Sequence, residues 1–113
     1  MTSMQKDIAD GTLVVRTAKN DEVHMIALCG ELDLANASTA EAALEELLDE
    51  GAPVVVDMRE LEFIDSTGIA LLVAALGRGG EDPRVKFIPS TAPAVTRVLE
   101  LTGLAERLPL AEA

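Results

Sequence analysis

Three consecutive valines, Val54, Val55 and Val56, stand between two segments whose apolar residues repeat at helical spacing. A run of β-branched residues without alternation reads as a strand buried on both faces, in a central position. Before it, Ala40, Ala43, Leu44, Leu47 and Leu48 fall at i, i+3, i+4, i+7 and i+8, which is one helical face. After it, Ile69, Leu72, Val73 and Leu76 make a second apolar stripe, and the glycines from Gly77 to Gly80 end that helix. Arg84-Val85-Lys86-Phe87-Ile88 is then another strand. The order strand, helix, strand predicts a βαβ unit with parallel strands and a right-handed crossover.

The flanking segments complete the outline. Thr12–Arg16 and Val23–Leu28 read as strands, and Lys19-Asn20-Asp21-Glu22 between them is turn chemistry, so an antiparallel hairpin is expected. The first helix starts with Ser38 and Glu41 at capping-box spacing, or with Asn36 as the cap, and Gly51 ends it. Pro93 suits the first turn of a third helix, capped by Ser90 or Thr91. Val95, Val98 and Leu99 form its stripe, Gly103 closes it, and Leu104–Leu108 is a short tail element. Residues 1–10 are polar and read as a flexible N-terminal segment, which leaves residues 11–110 as one α/β domain. Its sheet is mixed and covered by helices.

The chain has 113 residues, the size of one domain. With two Phe and neither Trp nor Tyr, its core must be aliphatic. A net charge of −11 repels nucleic-acid phosphates and anionic lipid heads, so neither is an expected partner. The charge serves solubility, or it presents an acidic face to a basic protein. Cys29 is the one cysteine and can form no intrachain disulfide; its apolar neighbours make it a small core residue. No signal region or transmembrane run is present in the sequence, so the expected compartment is the cytoplasm.

Residues for catalysis are scarce. His24 is the one histidine, an exposed or half-buried strand residue in the predicted hairpin. The sequence has no metal-ligand pattern, phosphate loop or serine-nucleophile elbow, and nothing calls for a cofactor. The exception is Asp65-Ser66-Thr67-Gly68, at the start of the second helix. These are good capping residues. The same place suits a phosphate, because free N–H groups and the positive end of the helix favour added negative charge. Phosphorylation of a hydroxyl here adds about −1.5 to −2 charges close to Asp65.

Gly30-Glu31-Leu32-Asp33, then Val54-Val55-Val56-Asp57, then Phe63-Ile64-Asp65-Ser66-Thr67-Gly68-Ile69 resembles the STAS family of anti-sigma factor antagonists. The likeness runs from about Thr12 to about Leu108 and includes the Pro93 helix and Leu101-Thr102-Gly103-Leu104. The resemblance implies a STAS-like domain with a mixed sheet of four or five strands and about four helices. It implies partner switching. The unphosphorylated antagonist binds an anti-sigma factor that is also a serine kinase, which releases a sigma factor. The kinase phosphorylates the antagonist with ATP and a phosphatase removes the mark. Matched residue by residue, Ser66 is the phosphorylated position, with Thr67 a secondary one. Asp33 is the acidic residue near it, and Gly68 opens the helix. Asp33, Asp65, Ser66, Thr67, Gly68 and Ile69 form the expected partner-binding set. Thr67 stands where many members have a second serine, and Ile69-Ala70 replaces a common Leu-Gly pair. A second role for the same fold is a regulatory or structural subunit of a membrane transport complex. An enzyme or nucleotide-binding domain with Mg²⁺ near Asp33 and Asp65 is the third.

Overall fold

Residues 4–79 and 84–111 are described by the structure, a computed structural model. Strands β1 (Met4–Asp10), β2 (Leu13–Lys19) and β3 (His24–Leu32) come first. Helix α1 (Ala37–Asp49), strands β4 (Val54–Asp57) and β5 (Leu61–Ile64) and helix α2 (Ser66–Gly79) follow. Strand β6 (Val85–Ile88), helix α3 (Pro93–Leu101) and a 3₁₀ turn (Leu104–Glu106) complete the chain. The sheet has six strands in the order β1-β2-β3-β4-β6, with β5 paired to β3 off that path. The predicted hairpin is β2–β3, antiparallel, and the predicted parallel pair is β4–β6. Asn20 organises the hairpin turn: its Oδ1 accepts the N–H groups of Glu22 and Val23, each at 2.8 Å.

Strand β3 is the spine. Its His24–Ala27 half pairs in parallel with β4, and its Gly30–Leu32 half pairs in parallel with β5. The register shifts between Gly30 and Glu31. There the Gly30 N–H donates to the Glu60 carbonyl at 3.0 Å, and the Glu31 N–H donates to the Thr12 carbonyl at 3.2 Å. Gly30 has φ of 103°, and a Cβ on it would lie 2.1 Å from the Thr12 carbonyl oxygen. Only glycine admits both that backbone angle and that approach. The changeover lets one strand organise neighbours from both halves of the chain.

Helices α1 and α2 cover one face of the sheet. Ala40, Ala43, Leu44, Leu47 and Leu48 are all buried, as their spacing predicts. They meet Leu13, Val15, Ile26, Leu28, Val56 and Phe87 in one cluster. Each fully buried Leu, Ile or Phe there contributes about 1.5–3 kcal/mol. The stripe of α2 is rotated from its predicted position. Leu71, Leu72 and Ala75 are buried, Ile69 and Leu76 are half-buried, and Val73 is exposed. In α3, Val95 and Leu99 are buried, and Val98 packs partly against the core.

Several expectations need correction. Met4–Asp10, expected to be flexible, is strand β1, because its backbone pairs with the whole of β2 and Thr39 of α1 donates to the Asp10 carboxylate at 2.6 Å. Residues 1–3 lie outside the described residues. The sheet exceeds the four or five strands expected, because β1 and β5 both join it. The three valines are not buried on both faces: Val54 and Val56 are buried and Val55 is half-buried. Helices lie over one side of β4 only, so the alternation is in the burial even though it is not in the residue type. Cys29 shares that second face and is half-exposed rather than in the core; desolvation and the nearby Glu60 push its thiol up. His24 is buried instead, beneath the end of α1, with Nδ1 3.4 Å from Glu50. Neither predicted cap of α1 acts as one. Asn36 holds the N-cap position, yet its side chain turns back to the preceding loop. Neither Ser90 nor Thr91 occupies the N-cap of α3, which is Ala92, although Ser90 Oγ accepts the Ala92 N–H at 3.0 Å.

The register break at Gly30 predicts an ordered pair of mutational costs. Gly30→Ala lowers the unfolding free energy by about 2–4 kcal/mol, combining backbone strain with the clash against Thr12. Gly11→Ala, at φ of 61° with open space around it, costs about 1–2 kcal/mol. Urea denaturation of the two variants checks the order.

Candidate functional site

Strands β3 and β5 end together, with Leu32 and Ile64 paired in register. Their outgoing loops, Asp33–Asn36 and Asp65, are therefore neighbours at the carboxyl ends of parallel strands. In α/β folds this is the usual place for a ligand or partner. The Asp65 N–H donates to the Leu32 carbonyl at 3.2 Å, which fixes where α2 begins.

Asp65 joins the two loops. Its Oδ1 accepts the N–H groups of Thr67 (2.9 Å) and Gly68 (3.1 Å), as an N-cap does. Its Oδ2 accepts the Leu34 N–H at 3.1 Å, from the loop after β3. Asp33 organises that loop. Its Oδ1 accepts the Ala35 N–H at 3.0 Å, and its carbonyl accepts the N–H groups of Asn36 and Ala37. The buried Asn36 completes it: Oδ1 accepts the Asp33 N–H at 3.0 Å and Nδ2 donates to the Glu31 carbonyl at 2.9 Å. Two carboxylates and one carboxamide thus hold a short loop against a helix N-terminus.

Ser66 is the first residue of α2 and is exposed. Thr67 and Ile69 are half-buried, and Gly68 is buried. A Cβ on Gly68 would lie 2.5 Å from Ile64 Cγ1 and 2.9 Å from Leu32 Cγ, so the glycine lets α2 sit tightly on the strand ends. Of the predicted set, Asp65, Ser66, Thr67 and Gly68 are contiguous at the helix start, and Asp33 is linked to them through Leu34. One expectation fails. The N–H groups of Thr67 and Gly68 are not free for a phosphate, because Asp65 already occupies them.

A shallow groove between the starts of α1 and α2, which Ser66 adjoins through its chain neighbour Thr67, is lined by Leu34, Ala37, Glu41, Thr67, Ala70 and Leu71. Leu34 is 78% exposed, which is unusual for a leucine beside a buried strand end. Its exposure has no signal in the sequence, because it depends on how the loop after β3 is held. No group of three or more His, Cys, Asp or Glu is placed to hold a metal among the described residues. None of the described helices is long and apolar enough to cross a membrane.

Comparison with known proteins gives a consistent set of likenesses. A family model described as Mlab, STAS domain, matches residues 15–111. An anti-sigma-F factor antagonist, RsfB, of Mycobacterium tuberculosis is 32% identical over 98 residues, covering 85% of this chain and 79% of the relative. An anti-sigma-B factor antagonist of Staphylococcus aureus is 26% identical over 93 residues, covering 81% of this chain and 86% of the relative. Among solved structures, an anti-sigma factor antagonist from Mycobacterium paratuberculosis superposes with a TM-score of 0.74 at 24% identity, covering 99% of this chain and 87% of that one. The anti-sigma factor antagonist SpoIIAA in its unphosphorylated form superposes with a TM-score of 0.67 at 19% identity, covering 96% and 89%.

The bridging role of Asp65 is testable apart from any partner. Asp65→Ala removes the cap and the tie to Leu34 and lowers stability by about 1–3 kcal/mol. Asp65→Asn costs less, because an amide oxygen still accepts from Thr67 and Gly68 while the amide nitrogen cannot accept from Leu34. Chemical denaturation that left both variants at wild-type stability would refute the bridge.

Proposed function

The chain belongs to the STAS-domain family, and on that premise we propose that it is an anti-sigma factor antagonist switched by phosphorylation of Ser66. In the unphosphorylated state it binds an anti-sigma factor that is also a serine kinase, and so frees a sigma factor. It works in the cytoplasm as a binding protein and not as an enzyme, and a phosphatase resets it. The observation that carries the reading is the exposed Ser66 at the start of α2, between the Asp65 cap and the groove beside Leu34. The names of RsfB and of the Staphylococcus aureus relative support the antagonist role.

The position of Asp65 gives the switch a physical form. A phosphate on Ser66 carries about −1.5 to −2 charges. The N–H groups of Thr67 and Gly68, which an uncapped helix start would offer it, are already bonded to Asp65. The phosphate must therefore remain in solvent as an added negative charge beside a carboxylate, or displace Asp65. In the first case it repels an acidic partner surface and obstructs an apolar one. In the second it also releases the Leu34 loop, which lines the groove. Both routes weaken the same interface. Thr67 has a hydroxyl too, but it is half-buried, so a kinase reaches Ser66 more easily.

A second reading takes its support from the family model's description, Mlab, STAS domain. It makes the chain a regulatory or structural subunit of a membrane transport complex, with the same fold and a different partner.

Titration calorimetry against candidate anti-sigma kinases separates these readings. Ser66→Ala binds the kinase with or without ATP, whereas Ser66→Asp binds at least tenfold more weakly, a loss of about 1.4 kcal/mol or more. Incubation of the wild type with kinase and ATP places phosphate on Ser66, detected by mass spectrometry. Equal binding by the two variants, or co-purification with a membrane complex and no phosphate on Ser66, overturns the switch.

A further inference from the structure

The face of the sheet away from α1 and α2 takes no part in the site. Strand register fixes which residues share it. Gln5, Ala18, Met25, Val55 and Lys86 lie in one row across the sheet. Asp7, Arg16, Ala27, Asp57 and Ile88 form the next row, and Ala9, Val14 and Cys29 lie beyond it. On β2, β3, β4 and β6 the alternate residues Leu13, Val15, Ile26, Leu28, Val56 and Phe87 are buried under the helices. Val14, Ala18, Met25, Ala27, Cys29 and Val55 instead remain half-exposed. Together they make a flat, contiguous apolar patch at the centre of the sheet, with a shallow trough along Arg16, Met25 and Ala27. Scattered apolar residues on a surface need no explanation, but a contiguous patch of this kind marks an interaction surface.

Its charges differ from those of the rest of the chain. The whole protein has a net charge of −11. Within the two rows Asp7 and Asp57 are matched by Arg16 and Lys86, with Arg59 paired to Asp57 at the rim, while Glu31 and Glu60 lie beyond Cys29 towards β5. An acidic protein repels its own copies through most of its surface, but not here. A strongly basic partner or an anionic membrane finds no complementary field on this face.

We propose that the open face is a self-docking surface, on which a second copy of this chain packs sheet against sheet about a two-fold axis along β3. Such an axis exchanges the two flanks of β3, so β2 of each copy lies over β4 of the other. Arg16 and Asp57 sit in one row on either side of Ala27. Each Arg16, which pairs with Asp7 at 3.6 Å in its own chain, therefore lies over the Asp57 of the second copy, which Arg59 holds at 2.8 Å. The two contacts join these pairs into one charge network and are equivalent, as a closed two-fold interface requires. An axis across the strands would stack Arg16 on Arg16 and is disfavoured. Ala18 and Ala27 keep the meeting faces flat, and twisted sheets pack in this aligned manner about 10 Å apart. Cys29 then faces its counterpart near the axis. The sheet spacing is too wide for a disulfide, whose Cα atoms lie about 4.4–6.8 Å apart, but a short bismaleimide can span it.

Sedimentation equilibrium of the purified chain tests the surface. A reversible dimer is expected within a range on the order of 10 μM to 1 mM. Ala27→Arg abolishes it, and Arg16→Glu raises its dissociation constant roughly tenfold or more. Arg16 is exposed, so its variant keeps the fold even if Ala27→Arg does not; circular dichroism verifies both. Bismaleimide at Cys29 yields a cross-linked dimer from the wild type and much less from Arg16→Glu. A wild-type chain that stays monomeric across the range overturns the proposal, including where the face is found to take a different protein. A dimer that survives both folded variants at unchanged affinity overturns it too.

Discussion

The switch of partners along β3 is the constraint on which the rest of this structure depends. A strand can hold only one neighbour on each edge at any point. β3 keeps β2 along one edge and divides the other between β4 and β5. The β5 part of that edge contains a break in register that passes over Glu62, and Gly30 accommodates it by taking a positive φ where the Thr12 carbonyl closes in. Without the break, Leu32 would face Phe63 and not Ile64, and the ends of the two strands would be out of step. The loops that leave those two residues would then be apart, and Asp65 would have no Leu34 N–H to accept. A backbone angle at one glycine thus determines whether the functional loops meet.

From there the site follows from hydrogen bonding. A helix N-terminus leaves N–H groups that need acceptors, and Asp65 satisfies those of Thr67 and Gly68 from within the chain. A tighter helix start results, and so does a less hospitable place for a second anion. The exposed Ser66 therefore lies beside a position that is already negatively occupied. A modification there is felt as repulsion or as competition, not as stabilisation of the helix. This is a sounder basis for a switch than a vacant phosphate cradle, since a phosphate that improved its own local hydrogen bonding would have little effect on a neighbouring loop.

Much of this was legible in the sequence, and the failures have physical causes. The α1 stripe was complete because five apolar residues at helical spacing admit one reading. The parallel β4–β6 pair followed from a helix of the right length between two apolar runs. Strand β1 was missed because its residues are largely polar, and its order comes from backbone pairing with β2, which composition does not report. Strand β5 was missed because it is short and follows closely on β4. Ser66, Thr67 and Gly68 were visible through their capping chemistry and the family likeness, but Leu34 was not, since its exposure depends on a loop held by Asp33, Asn36 and Asp65. His24 and Cys29 were exchanged in depth. Both lie on β3, where a shift of one residue changes the face, and neither residue type decides which face it takes.

The three valines of β4 show why the two faces of the sheet have different uses. Residue type alone makes Val54, Val55 and Val56 equivalent, yet α1 and α2 are both on one side. Val55 is left on the other with Met25, Ala27 and Cys29. Helix α2 starts at the carboxyl end of β5, on the covered side, so Ser66 and its groove are at an end of the domain and not on the open face. Two copies joined through their open faces would leave both grooves uncovered, and each could meet a partner independently. Charge added at Ser66 would lie away from the self-docking surface and would be screened over about 8–10 Å at ordinary ionic strength. The switch can therefore change the affinity for a foreign partner while leaving the association of like chains intact, because one depends on a single helix terminus and the other on strand register.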